Sequence, residues 1–127
     1  MLLLGCDVRV GNDTPAGSDG ASKIGLNEVA IGMAVPEWAI TIARQRLSNR
    51  HLNRSLLNAR LTDGATAVDV GFLDMVVSVD AVRETAVQEA HKLVDLDPAS
   101  YIEMIRRYRT DVLDDMTSKI AADRGLR

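Results

Sequence analysis

Apolar residues come first as short unbroken runs and then, past the middle of the chain, at helical spacing. Residues 2–10 are apolar except for Gly5, Asp7 and Arg9. They read as a buried strand, or as a helix end running into one, since periodicity does not separate the two over so short a run. Residues 12–22 (NDTPAGSDGAS) are a loop by composition. Residues 23–26 fit a short strand, and residues 27–33 show no clear period.

Pro36 suits a first helical turn and Glu37 suits its dipole, so a helix is predicted over 36–47. Trp38, Ala39, Ile42 and Ala43 form its inner side. Ser48 or Asn49 caps a second helix to about Arg60, with Leu52, Leu56 and Leu57 inward. Thr62-Asp-Gly64 is a turn, residues 66–70 are one or two helical turns ended by Gly71, and residues 72–77 are a strand. Asp80 caps a helix to about Leu96, with Val82, Ala86, Ala90, Leu93 and Val94 on its apolar face. Asp97-Pro98 opens a last helix, striped by Ile102, Ile105, Val112, Leu113, Met116 and Ile120 and ending near Arg124-Gly125. The predicted strands are few and widely separated, and a lone pair is marginal by itself. The inventory therefore reads as a portion of a larger α/β fold.

Composition narrows the class. The chain has 127 residues, enough for one core. Aromatics make up only 3%, so that core is aliphatic. Net charge is -3, which provides no global attraction to nucleic acid or an anionic membrane. A single cysteine excludes an internal disulfide and fits a cytoplasmic setting. The apolar start stops at Gly5, too short for a signal peptide, and no run reaches the length of a membrane span.

Few residues suggest chemistry by themselves. Glu28 lies between Ile24, Leu26, Val29 and Ile31, and carboxyls among apolar neighbours are what general acid–base chemistry uses. A plain helix-start glutamate, held by the dipole or by Lys23, explains the same spacing. Arg44, Arg46, Arg50, His51, Arg54 and Arg60 form a basic segment with no acid between Glu37 and Asp63. It fits phosphate contact, or equally a solvated helix face or an intersubunit salt-bridge zone. Without interleaved aromatics, nucleic acid is the weakest of these readings. His51 and His91 share no metal-ligand spacing. Cys6 has no partner base and reads as a small buried hydrophobe. Neither a nucleophile elbow nor a phosphate loop is present.

Three stretches together resemble the enoyl-CoA hydratase/isomerase (crotonase) family over nearly the whole chain. Leu2-Leu-Leu-Gly-Cys-Asp7-Val-Arg-Val10 is similar to the family's helix end, Cys-Asp step and following strand. Lys23-Ile-Gly-Leu-Asn-Glu28-Val-Ala-Ile-Gly32 resembles its F-G-x-P-E-x-x-x-G signature. Leu61-Thr-Asp-Gly64, followed by Ala67-Val-Asp-Val-Gly71-Phe-Leu-Asp74-Met-Val-Val77, resembles its L-T-G and A-x-x-x-G-L-V-D-x-V-V segments.

The resemblance implies an α/β crotonase-like spiral, truncated to its later strand–helix turns plus the C-terminal helical region. Residues 1–79 would be the later part of the core and residues 80–127 a helical oligomerisation region, building a homo-trimer or hexamer. Glu28 falls on the family's catalytic glutamate. The substrate implied is an enoyl-CoA thioester, with no metal, no cofactor beyond that thioester, no nucleic acid and no membrane.

Hydratases add a second glutamate, which would fall at or next to Met1 and is lacking here. A lone carboxylate leans toward isomerase-type proton shuttling. Two departures are a longer loop at 12–22 and Pro36-Glu-Trp-Ala39 in place of a G-A-G-G-T-like turn. Both oxyanion-hole N–H groups of the family would precede Met1, and each such donor is worth about 2.7–4 kcal/mol in the transition state. The chain alone is therefore expected to be catalytically incomplete. The alternative is a non-catalytic oligomerisation or interaction module of the same family.

Overall fold

In the computed structural model, residues 1–15 and 17–125 are described. Ala16 of the predicted loop and the last two residues of the predicted helical region lie outside the described residues. The chain opens with a 3-10 turn, Leu2–Gly5, and passes into strand β1, Val10–Asn12. A second 3-10 turn, Glu28–Ile31, leads to helix α1, Glu37–Arg46. Helix α2, Leu52–Leu56, and helix α3, Gly64–Val70, precede strand β2, Met75–Val77. Helices α4, Val82–Val94, and α5, Pro98–Gly125, complete the fold.

The two strands form one parallel pair, with Val10 opposite Met75, Gly11 opposite Val76 and Asn12 opposite Val77. Parallel pairing demands a long crossover, and here the crossover contains α1, α2 and α3. Its inner faces meet in one core of Leu4, Leu26, Ala43, Leu47, Ala67, Val70, Phe72 and Leu73. The sequence reading of Ala39 and Ala43 as inner residues holds, since both are buried.

Local capping explains the sharpest boundaries. Asp63 accepts a hydrogen bond from the Thr66 N–H at 2.8 Å and starts α3. Gly71 ends α3 in the left-handed region at φ 96°. A Cβ there would also lie 2.7 Å from the Arg46 carbonyl oxygen, so the position excludes side chains twice over. The Asp97 carboxylate accepts from the Ser100 N–H at 2.9 Å and starts α5.

The structure corrects several expectations. The helix predicted to reach Arg60 stops at Leu56, and neither Ser48 nor Asn49 caps it. Leu57 points outward, 66% exposed, while Ser55 is buried in its stead. Ala59 adopts φ 48°, which ends any helical continuation. The strand predicted over 72–77 contains only its last three residues, because Phe72 and Leu73 are buried in the turn after α3. Cys6 is exposed. It follows the last residue of the first turn in extended backbone, which carries its side chain outward. None of the apolar-face residues predicted for α4 is buried.

Candidate functional site

Residues 24–28 are fixed before any side chain is considered. Ile24 and Thr62 form an isolated antiparallel bridge, with backbone bonds of 2.9 and 2.8 Å in the two directions. The Thr62 hydroxyl adds a bond to the Ile24 carbonyl at 2.9 Å. Gly25 lies so close to the next stretch that a Cβ would sit 2.7 Å from the Arg60 carbonyl oxygen. Leu26 then plugs into the core. Glu28 follows as the first residue of the 3-10 turn, its carbonyl accepting the Met33 N–H at 2.9 Å. Gly32 closes that turn at φ 77°.

The Glu28 side chain is half-buried. Its Oε2 is fully enclosed and has no hydrogen-bond partner among the described residues. A buried carboxylate oxygen without a donor is costly in a folded protein and calls for a functional or structural reason. The next residue, Val29, lines an open groove of about 350 Å³ with Val35, Ile40, Arg44, Leu56 and Leu57. Val29, Ile31 and Met33 on this side are exposed. The expected apolar surroundings of Glu28 are thus only partly present in the chain itself.

A second polar feature lies where β1 begins. Arg9 is 6% exposed and reaches across to Asp74 on the neighbouring strand's approach. Its Nε–H donates to Asp74 Oδ2 at 2.8 Å and its Nη2 to Oδ1 at 2.7 Å. The Arg9 backbone N–H donates to the same Oδ2 at 2.8 Å. These bonds from Arg9 hold the Asp74 carboxyl below the usual carboxylate range, against a smaller opposing effect of burial. Sequence reasoning recorded Asp74 only as part of a motif and Arg9 only as an interruption. A charged residue inside an apolar run next to a buried strand was the available signal.

Asp7 plays a comparable part at the surface. Arg109 of α5 pairs with Asp7, and the Tyr101 hydroxyl donates to its Oδ2 at 3.0 Å. The Arg109 hydrogen bond lowers the Asp7 carboxyl most, burial opposes it, and the Tyr101 bond lowers it further. Next to this pair, Arg46 donates to the Cys6 carbonyl. Burial, followed by the Arg9 charge, lowers the proton affinity of Arg46. His51 and His91 lie apart from Glu28's neighbours, on α2's start and α4. Among the described residues no group of three His, Cys, Asp or Glu side chains is placed to hold a metal ion. No helix among them is long and apolar enough to cross a membrane.

The sequence profile described as enoyl-CoA hydratase/isomerase matches residues 1–127, the full length given. The chain belongs to the enoyl-CoA hydratase/isomerase family. A crystal structure of a family protein from Pseudomonas syringae is similar at a TM-score of 0.89 and 36% identity, over 98% of this chain and 51% of that one. The human mitochondrial delta3-delta2-enoyl-CoA isomerase structure is similar at a TM-score of 0.83 and 26% identity, over 94% of this chain and 45% of that one. By sequence, human enoyl-CoA delta isomerase 1 is 33% identical over 86 residues, or 68% of this chain and 27% of that protein. The chain therefore spans about half the length of the solved family members, and its α/β architecture is a truncated crotonase fold.

Proposed function

We propose that this chain supplies the acid/base wall of an enoyl-CoA thioester site, with Glu28 as the proton carrier. The observation that carries the reading is the enclosed, unpartnered Glu28 Oε2, next in sequence to Val29 in the lining of an open, mostly apolar groove, in a family whose relatives include enoyl-CoA isomerases.

The step needs no oxidant and no metal. The Glu28 carboxylate takes a proton from C2 of a 3-enoyl thioester. The C2–H electron pair moves into the thioester carbonyl as a dienolate. The electrons then return, the double bond settles between C2 and C3, and the carboxyl delivers the same proton to C4. The developing enolate oxygen needs donors, and on this reading they come from a part of the fold outside these residues. A substrate beyond the thioester is not called for.

The test is a chimera. Purified chain is incubated with a 3-enoyl-CoA and with crotonyl-CoA, and no turnover above background is expected. The amino-terminal half of the Pseudomonas syringae family protein is then fused ahead of Met1. Isomerisation should appear and should fall by at least about a hundredfold in Glu28→Gln, in line with typical general acid–base contributions. Restored activity that survives Glu28→Gln would overturn the assignment.

The helical region favours a second, compatible reading. Val94, Leu96, Ile102, Met104 and Leu113 are exposed along α4, α5 and the link between them, as they would be in a region that assembles with further copies into a trimer or hexamer. Light scattering of the purified chain checks it, and a monomer at high concentration would count against assembly through α4 and α5.

A further inference from the structure

The basic segment holds a feature that proton transfer leaves unused. Helix α2 has two opposite faces. Asn53, Leu56 and Leu57 turn toward the groove that Val29 lines. His51, Arg54 and Ser55, spaced i, i+3 and i+4, share the other side. There they meet Arg60, Thr62 and Thr66 around a separate small pocket of about 60 Å³ between α2 and α3.

The polar groups around this pocket are unevenly satisfied. Arg50 donates to both oxygens of Asp69 at 2.8 Å. His51 Nε2 lies 2.9 Å from Asp69 Oδ2 and 3.1 Å from Arg50 Nε. One ring nitrogen serves only one of these at a time, as donor to the carboxylate or acceptor from the guanidinium. Asp63 is engaged by the Thr66 N–H. The acids nearby in sequence are thus already bound. Arg54 and Arg60 have no ion-pair partner among the described residues. Their main chains are tied by a bond from the Arg60 N–H to the Arg54 carbonyl at 3.1 Å, and both residues line the pocket. Ser55, Thr62 and Thr66 supply hydroxyl-bearing neighbours.

We propose that Arg54 and Arg60, with the Ser55 side, form a binding site for a tetrahedral oxyanion of the phosphate class. Two guanidiniums offer forked, charge-assisted donors suited to such a group, and the pocket's size admits the anion without a bulky substituent buried beside it. The site lies across α2 from the groove that Val29 lines, so it does not rest on the proton-transfer reading.

The test uses the intact chain, isotope-labelled and titrated with inorganic phosphate at constant ionic strength, followed by amide NMR. Saturable shifts centred on residues 51–66 are expected. In Arg54→Gln/Arg60→Gln the apparent Kd should weaken by at least about tenfold, while Arg83→Gln on α4 and Glu28→Gln should leave it unchanged. A far-ultraviolet circular dichroism spectrum equal to the parent's shows that the double variant is folded. If it is not, Arg54→Lys and Arg60→Lys tested singly should each weaken binding while keeping the fold. A parallel titration with methyl phosphate separates the sources: tighter binding of the ester marks a phosphorylated ligand, and tighter binding of inorganic phosphate marks the free anion. Shifts spread over Arg83, Arg106 and Arg107 alike, or an unaltered Kd in the double variant, would overturn the site.

Discussion

The core turns up to β2 and the helical region after it are built on different physics. The first part buries Leu4, Leu26, Ala67, Val70, Phe72 and Leu73 together and seals one charged pair, Arg9 with Asp74, at its edge. The second part buries nothing in α4. Helix α5 packs on α1, and its polar ties are exposed: Arg109 to Asp7, and Asp115 shared between Lys119 and Thr41 at 2.6 Å each. Exposed ion pairs are worth little and are screened by salt. The difference teaches that the core can specify its own shape, while α4 and α5 depend on whatever else covers them.

The contrast can be broken most severely from inside. Phe72→Ala should cost about 3–5 kcal/mol, read as a lower urea midpoint, whereas Leu113→Ala on α5 should stay within about 0.5 kcal/mol. Equal losses would erase the distinction. Asp74→Asn comes next, since it strands a buried guanidinium. Breaking such a pair costs up to about 3–5 kcal/mol when both partners are buried, and Asp74's side chain is 37% exposed, so about 2–3 kcal/mol is expected.

Acid sharpens the comparison further. Asp74 and Asp7 both have folded-state carboxyls below the ordinary value of 3.8. The folded chain therefore binds fewer protons than the unfolded chain in that range. Their stabilisation is complete above that value and is lost as pH falls through it toward the lower folded values. Urea midpoints measured from pH 6 down to pH 2.5 should fall, and Asp74→Asn should flatten the decline more than Asp7→Asn. The smallest expected effect is that of salt. At 0.5 M sodium chloride, amide exchange should quicken in α5 and remain unchanged in β1 and β2.

What could be read from residues alone follows the same division. Pro36-Glu37, Gly71 and Asp97-Pro98 marked real helix boundaries, because capping is local chemistry, whereas Asp63, read as part of a turn, is the N-cap of a helix that starts two residues earlier than expected. The apolar run at 72–77 misled because a buried turn and a buried strand have the same composition. Leu57 seemed inward on helical spacing, but α2 ended one residue earlier. Arg9 was illegible as a core residue because its partner is 65 positions away. Glu28 stood out as a carboxyl among apolar neighbours, and the family resemblance gave it a role. Its enclosed, donorless oxygen depends on how residues 24–26 are pinned to Thr62, which no local pattern encodes. The pocket at Arg54 and Arg60 was visible as charge, but which of six basic residues remained unpaired was decided by folding.

The parallel register of Val10 with Met75 has a consequence for synthesis. Among the described residues each strand's sheet neighbour is the other, and the segment between them must be gathered before their ladder repays its closure entropy. On a ribosome, Val10 would therefore wait, its edge open, until Val77 had cleared the exit tunnel. A nascent chain stalled short of that point should be captured by holdase chaperones, and one stalled well beyond it should be released.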